Sequence, residues 1–191
     1  MEERLNDLYK TKILQVEGEM AWLEDIFRRE QVHSYLEIGC KYGGSLWRLV
    51  RSLPKGSRVV AVDMPFGDQS NLPHLKQCLS DLCVIGYDCH LILGDSTDRK
   101  IVERVRDFGP YDAVLIDANH LLPYVTKDWQ NYGPMSRIVA FHDISWKMHP
   151  ARRSKTPIEV PQFWASIKDK YRHDQIQLEP NDNGLGVLWT R

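Results

Sequence analysis

Short apolar runs alternate with amphipathic segments along most of the chain. The apolar runs are rich in aliphatic and β-branched residues, as buried strands are, and they cover residues 34–38, 58–62, 89–93, 113–116 and 138–141. The amphipathic segments between them predict helices at 45–52, 72–85, 98–108 and 122–132. Because strands that are apolar on both sides need cover on both faces, this alternation predicts an α/β fold with a doubly wound, mostly parallel sheet.

The two ends of the chain differ from this pattern. Residues 5–30 carry apolar positions at helical spacing in their second half and predict a leading helix over about 4–29, with residues 1–30 as a helical cap. Near the other end, a helix at 161–170 is followed by strand-like runs at 175–178 and 185–189, joined by the turn-rich segment 179–184. We therefore expect one Rossmann-like domain over 1–191, with seven strands and a C-terminal antiparallel hairpin.

Composition narrows the function classes. The chain has 191 residues with 25 basic and 26 acidic side chains, so its net charge of −1 provides no general attraction for nucleic acid. It contains neither a secretory leader pattern nor an apolar stretch of membrane-spanning length, which favours a cytoplasmic protein without a membrane partner. The four cysteines are expected to be reduced thiols, and a zinc site at Cys78, Cys83, Cys89 and His90 is disfavoured by its spacing.

A glycine-rich turn follows the first predicted strand. It reads Glu37-Ile38-Gly39-Cys40-Lys41-Tyr42-Gly43-Gly44-Ser45, and a predicted helix begins at its end. Glycines at such a junction allow a tight turn and the close approach of a ligand, although the spacing departs from the dinucleotide fingerprint GxGxxG. The second strand ends in Asp63, where a carboxylate can accept hydrogen bonds from ribose hydroxyls.

The remaining strands also end in polar residues. The sequences are Gly94-Asp95-Ser96, Asp117-Ala118-Asn119-His120 and His142-Asp143. Any one of these could be a helix cap. Because the carboxyl ends of parallel strands share one edge of a sheet, the five ends together predict a ligand site at that edge.

These motifs resemble class I S-adenosylmethionine (SAM)-dependent methyltransferases. Within that class the resemblance is to the group of metal-dependent sugar O-methyltransferases of macrolide pathways and cephalosporin-hydroxylase-like proteins, and it extends over residues 35–189. The residues that carry it are Glu37-Ile38-Gly39 with Gly43-Gly44-Ser45, Ala61-Val62-Asp63, Leu93-Gly94-Asp95-Ser96, Leu115-Ile116-Asp117 with His120, Asp128-Trp129, Ala140-Phe141-His142-Asp143-Ile144 and Gly184-Leu185-Gly186-Val187-Leu188-Trp189.

The resemblance implies a set of cofactor contacts. Those bordering the methionine and ribose parts of SAM would come from Glu37, Gly39 and Gly43, and Asp63 would bind the ribose hydroxyls. The adenine would face Asp95 and Ser96, and Asp117 would complete the acidic edge. Since the methyl donor is a sulfonium cation, this acid-lined edge suits it better than it suits a dinucleotide phosphate.

The same resemblance implies a metal and a base. Two carboxylates and an imidazole, from Asp117, Asp143 and His142, form a mixed oxygen and nitrogen set suited to Mg2+ or Mn2+. His120 would be the general base that removes the acceptor proton. The chain departs from the group at Ala118, at Leu122 and at Met135-Ser136-Arg137, and His142 stands where the sugar enzymes often have an acidic residue. The simpler alternative is that both histidines only cap helices or bind backbone carbonyls.

The sequence thus predicts an O-methyltransferase that uses a small-molecule hydroxyl acceptor, a sugar or glycosylated metabolite. One alternative is a hydroxylase-like iron enzyme with His120, His142 and Asp117 as ligands; another is a non-catalytic cofactor-binding protein. The basic segment 147–155, with Arg152 and Arg153, is either a lid over the acceptor or a solvated charge run. The N-terminal helix would cover the cofactor cleft or mediate a homodimer.

Overall fold

The computed structural model describes residues 2–64, 71–145, 157–179 and 183–191. The helices are α1 (Glu2–Lys10), α2 (Glu17–Arg29), α3 (Gly44–Arg51), α4 (Leu72–Val84), α5 (Arg99–Arg106), α6 (Leu122–Tyr132) and α7 (Val160–Ile167). The strands are β1 (Ser34–Ile38), β2 (Arg58–Asp63), β3 (Asp88–Leu93), β4 (Tyr111–Ile116), β5 (Ser136–His142), β6 (Arg172–Ile176) and β7 (Leu185–Trp189). Single 3-10 turns follow α6 at Gly133–Met135 and α7 at Lys168–Lys170.

All seven strands form one sheet in the order β3-β2-β1-β4-β5-β7-β6. The first five pair in parallel, whereas β7 runs antiparallel to both of its neighbours, β5 and β6. The predicted mostly parallel seven-stranded sheet and its C-terminal antiparallel hairpin are therefore confirmed. Because β1 to β5 point the same way, their carboxyl ends lie along one edge, and this edge carries the polar motifs.

Alternate residues of the central strands pack into two separate cores. In β1, Tyr35 packs among the side chains of α2, α3 and α4, while Leu36 and Ile38 pack among those of α5, α6 and α7. The alternation follows from the two-residue period of a strand, and burial on both faces explains why these strands lack a polar side. Helices thus cover both faces of the sheet, and a ligand can reach it only at its edges.

Two predicted elements differ from the structure. The leading helix is broken into α1 and α2 by a linker at residues 11–16. The strand expected at 175–178 is β6, which lies three residues nearer the N-terminus and forms by pairing with β7. Its side chains are largely exposed because it is an edge strand, so it has no apolar pattern to mark it.

Within the described ranges, no helix combines the length and the apolar character needed to cross a membrane.

Candidate functional site

The glycine turn between β1 and α3 is shaped by its neighbours at the sheet edge. Gly39 adopts a φ of 89°, and a side chain there would collide with the carbonyl oxygen of Asp117 and the backbone of Ala118. Gly43 has a φ of 83°, and its N–H donates to the carbonyl of Cys40 at 2.8 Å. A side chain on Gly43 would collide with that of Cys78, so both positions require glycine for conformation and for space.

Asp63 holds this turn from the end of β2. Its Oδ2 accepts hydrogen bonds from the backbone N–H groups of Cys40 at 2.7 Å and Lys41 at 2.6 Å. Burial raises the pKa of Asp63, and these two bonds partly offset that effect. Hydrogen bonds to a carboxylate are stronger than neutral ones, so Asp63 fixes the turn in place at the carboxyl end of β2, and its predicted contact with a ribose stays a prediction.

Glu37 lies beneath the glycine turn. It is fully buried, and its two oxygens accept hydrogen bonds from the hydroxyls of Tyr35 at 2.6 Å and Ser45 at 2.7 Å. Burial raises its pKa to about 8, while those two bonds act in the opposite direction. Glu37 thus braces β1 against the start of α3 from inside, and its predicted contact with a cofactor stays a prediction.

Glu37 is expected to make the protein less stable as the pH rises. An ordinary glutamate titrates near 4.5 and Glu37 in the folded protein near 8, so over that interval the folded state keeps a proton that the unfolded state loses. The stabilising contribution is complete below the unfolded pKa, falls by up to about 1.4 kcal/mol per pH unit as the pH rises, and is gone above the folded pKa.

This expectation is checked by urea unfolding of the wild type and of Glu37→Gln, each measured near pH 4.5 and near pH 8. The wild type should lose more free energy of unfolding between these two pH values than the variant does. Asp128, whose pKa burial raises to about 7, titrates in both proteins, so the difference between them reports Glu37 alone. Equal losses in the two proteins would show that Glu37 does not keep its proton.

The end of β3 provides a second turn at this edge. The Oδ1 atom of Asp95 accepts bonds from the N–H of Thr97 at 2.8 Å and from its hydroxyl at 2.7 Å. The carbonyl of Ser96 accepts a bond from the hydroxyl of Tyr132 at 2.7 Å. Asp95 therefore forms a local turn before α5, and both predicted adenine-facing residues are half-buried at the expected edge.

Two aspartates and two histidines meet beyond the ends of β4 and β5. His120 Nε2 lies 2.8 Å from an oxygen of Asp143 and 3.4 Å from Asp117 Oδ1. His142 Nδ1 lies 3.2 Å from the other oxygen of Asp143 and 3.5 Å from the same Asp117 Oδ1. We call these four residues the Asp–His cluster. All four lie at the sheet edge that the sequence predicted.

Opposite charges shift the pKa values in the Asp–His cluster in a consistent way. Burial alone would lower the pKa of His120, but the carboxylates of Asp117 and Asp143 raise it to about 9. The same two carboxylates outweigh burial at His142 and raise its pKa well above the usual value. Burial alone would raise the pKa values of both aspartates, yet the histidines lower them. These shifts favour ionised aspartates beside protonated histidines.

The loop that carries His120 is tied to the start of α7. The carbonyl of His120 accepts a bond from the backbone N–H of Glu159 at 2.8 Å. In return, the carboxylate of Glu159 accepts from the N–H of Leu122 at 2.7 Å, at the first turn of α6. The side chain of Asn119 caps the N–H of Leu121 at 3.1 Å, so it serves the loop. His120 is therefore positioned by two elements that lie far apart in sequence.

One group of side chains in the described part of the chain can hold a metal ion. It consists of Asp117, His120 and Asp143, whose donor atoms lie within 4.8 Å of one another. Two of these residues belong to the predicted set of Asp117, His142 and Asp143. His142 is almost fully buried, and its Nε2 has no hydrogen-bond partner. The predicted metal role of His142 and the predicted base role of His120 both stay predictions.

Sequence reasoning missed one residue of the site. Gln15, in the linker between α1 and α2, donates from Nε2 to Asp117 Oδ2 at 2.7 Å. A glutamine more than a hundred residues away in sequence leaves no local signal of such a contact. The basic segment 147–155, with Arg152 and Arg153, for which the sequence allows a lid or a solvated charge run, falls in the range 146–156, outside the described residues.

The fold is similar to those of solved methyltransferases. An O-methyltransferase from Bacillus cereus, in complex with SAH, aligns with a TM-score of 0.70 at 14% identity over 98% of this chain and 88% of that one. The O-methyltransferase TomG from Streptomyces achromogenes, involved in tomaymycin synthesis and in complex with SAM, aligns with a TM-score of 0.66 at 19% identity over 92% and 81%. SAH-bound methyltransferase PaMTH1 from Podospora anserina aligns with a TM-score of 0.67 at 16% identity over 97% and 86%.

No protein-family model matches the sequence, and no curated protein matches it. The chain has the fold of class I SAM-dependent methyltransferases, and at these identities the likeness concerns the fold alone.

Proposed function

We propose that the chain is a SAM-dependent O-methyltransferase that acts on the hydroxyl group of a small molecule. One observation carries this proposal, namely that the carboxyl edge of one sheet bears both the glycine turn held by Asp63 and the Asp–His cluster. The turn lies at β1, and the cluster lies at the adjacent strand β4 and at β5. A methyl donor and a base for its acceptor need such neighbouring sites. That solved structures of the same fold hold SAM or SAH supports the proposal.

The cofactor would lie along the ends of β1, β2 and β3. The backbone at Gly39 and Gly43 would border its methionine part, Asp63 would accept from the ribose hydroxyls, and Asp95 with Ser96 would face the adenine. When bound, the cofactor supplies a methyl group on a positively charged sulfur. The carboxylate of Asp63 favours a cation at this edge because it contributes negative potential there, whereas the charge of Asp117 is balanced by the two imidazoles beside it.

The reaction needs a proton acceptor at the hydroxyl oxygen. A bond forms between that oxygen and the methyl carbon while the carbon–sulfur bond breaks, and the electron pair of the broken bond stays on sulfur. His120 takes the hydroxyl proton in its neutral form, which is the minority form at neutral pH because its pKa is about 9, and Asp117 and Asp143 stabilise the imidazolium that results. Holding the oxygen, carbon and sulfur in line supplies much of the remaining acceleration.

The Asp–His cluster fits a divalent cation by the chemistry of its donors. The donor atoms of Asp117, His120 and Asp143 lie within 4.8 Å of one another, and His142 Nδ1 lies 3.5 and 3.2 Å from the same two carboxylates, so either imidazole makes a mixed oxygen and nitrogen set with them. We propose that Asp117, Asp143 and His142 hold Mg2+ or Mn2+, which leaves His120 free as the base. A cation there would lower the pKa of an acceptor hydroxyl. By the motif resemblance, we propose a sugar or glycosylated metabolite as the acceptor.

Methyl transfer to a panel of sugars and glycosides tests the proposal directly. With SAM labelled in its methyl group, we expect label in at least one acceptor, a loss of about tenfold or more after chelation, and recovery with Mg2+ or Mn2+. Turnover that does not respond to chelation would show that the reaction needs no metal. Failure of the protein to bind SAM would contradict the proposed methyltransferase activity.

A second candidate function is an iron-dependent hydroxylase. It is favoured by the positions of His120 and His142, each of which lies within 3.5 Å of the same oxygen of Asp117. Two imidazoles and one carboxylate are the ligands of non-haem iron oxygenases. That chemistry gives no role to Asp63 or the glycine turn. Product formation that needs Fe2+ and an oxoacid but not SAM would favour the hydroxylase.

A further inference from the structure

The linker between α1 and α2 lies directly on the glycine turn. A methyl group on Gly44, the first residue of α3, would collide with the backbone of Lys12 and Ile13. Only a residue without a side chain permits this contact. The linker is therefore a wall of the candidate site.

The two helices that flank the linker are fixed to α3. In α1, the ring of Tyr9 stacks on Trp47 at 4.6 Å, and Trp47 Nε1 donates to Asn6 at 3.1 Å. In α2, Glu24 pairs with Arg48 at 2.7 Å, and Glu17 pairs with the same arginine at 2.6 Å. Because both ends are attached, the linker has a defined path over the site.

Within this linker, both polar atoms of the Gln15 side-chain amide, Nε2 and Oε1, form hydrogen bonds. Nε2 donates to Asp117 Oδ2 at 2.7 Å, and Oε1 accepts from the backbone N–H of Leu14 at 3.3 Å. The two contacts determine which end of the amide faces the carboxylate. With Oδ2 held in this way, the other oxygen of Asp117 is the one nearest to both histidines of the cluster.

We propose that Gln15 is a positioning residue of the site: it holds Asp117 through Oδ2 and so keeps Oδ1 directed into the Asp–His cluster. The inference rests on the proposed function, because it assigns Asp117 to a cation. Residues that hydrogen-bond to a ligating carboxylate orient it, and losing one lowers metal affinity by about 10- to 100-fold. Gln15 is placed to act in this way from the N-terminal linker.

The test compares Gln15→Met with Gln77→Met, using Mn2+ as the probe. Both substitutions keep the length of the side chain and remove one glutamine-to-aspartate hydrogen bond. The bond lost in the control joins Gln77 to Asp81 at 2.9 Å within α4, away from the cluster. Free Mn2+ is counted by electron paramagnetic resonance, SAM binding by calorimetry and folding by thermal unfolding.

We expect Gln15→Met to raise the dissociation constant of Mn2+ by about 10-fold or more, while Gln77→Met keeps the wild-type value. Both variants should unfold at similar temperatures and still bind SAM. Equal Mn2+ affinities in Gln15→Met and the wild type would overturn the inference, as would a wild-type protein that binds SAM but no Mn2+. A wild type that binds neither would instead contradict the proposed function itself.

Discussion

The Asp63→Asn variant is expected to lose SAM affinity by about 100-fold or more. Asp63 accepts two backbone hydrogen bonds from the glycine turn, at 2.6 and 2.7 Å, and would also face the ribose. Each hydrogen bond to a charged group contributes about 1.5–3 kcal/mol, and every 1.4 kcal/mol is about tenfold in affinity. A neutral amide of the same shape weakens these bonds and presents N–H donors to the turn. Calorimetric titration with SAM measures the loss.

Asp112→Asn is the matched control for this experiment. Asp112 also accepts from two successive backbone N–H groups, those of His33 at 2.8 Å and Ser34 at 3.0 Å. It lies at the opposite end of the strands, near the start of β4. The control should bind SAM as the wild type does, even if it is less stable. Equal SAM affinity in Asp63→Asn and Asp112→Asn would show that the cofactor does not use the carboxyl end of β2.

The His120→Gln variant is expected to lower kcat by about 10²- to 10⁴-fold, the usual contribution of a positioned general base. Glutamine keeps hydrogen-bonding capacity near Asp117 and Asp143 but cannot take up the acceptor proton. SAM and Mn2+ affinities should stay near those of the wild type, because neither is assigned to His120. The measurements are turnover with an acceptor that the wild type methylates, SAM affinity by calorimetry and Mn2+ affinity from the concentration of free Mn2+.

His90→Gln is the control for the base assignment. His90 also lies 2.9 Å from an aspartate, Asp88, and its side chain is as exposed as that of His120, at 33%. It is in β3, away from the Asp–His cluster, and its replacement should not change kcat. If His120→Gln loses Mn2+ instead, His120 is a metal ligand, as its place in the metal-capable group allows. Unchanged turnover in His120→Gln would reject the base role.

Much of the fold could be predicted because its constraints are local. β1 and β7 have the predicted boundaries, as does α6, and the apolar runs of the two strands are followed by Gly39 and Thr190. The position of Asp63 at the end of β2 follows from strand length and direction. Element boundaries and strand ends of this kind depend on residues that are close together along the chain, so the pattern of a single sequence can predict them.

The remainder depends on contacts between distant segments. The break between α1 and α2 is marked by neither proline nor glycine; residues 11–16 instead lie against Gly44 and Asp117. β6 depends on pairing with β7 and has almost no apolar residues. The approach of His120 to Asp143 depends on how β4 lies beside β5. Periodicity cannot report these contacts, because they form only in the folded chain.

A crystal structure of the chain with S-adenosylhomocysteine and Mn2+ would show whether the two sites lie side by side at the sheet edge. We expect the ribose against Asp63, the amino acid part along the turn from Gly39 to Gly43, and the cation at Asp117 and Asp143. A ligand bound at any other face, or a glycine turn left empty in crystals grown with saturating ligand, would contradict this expectation.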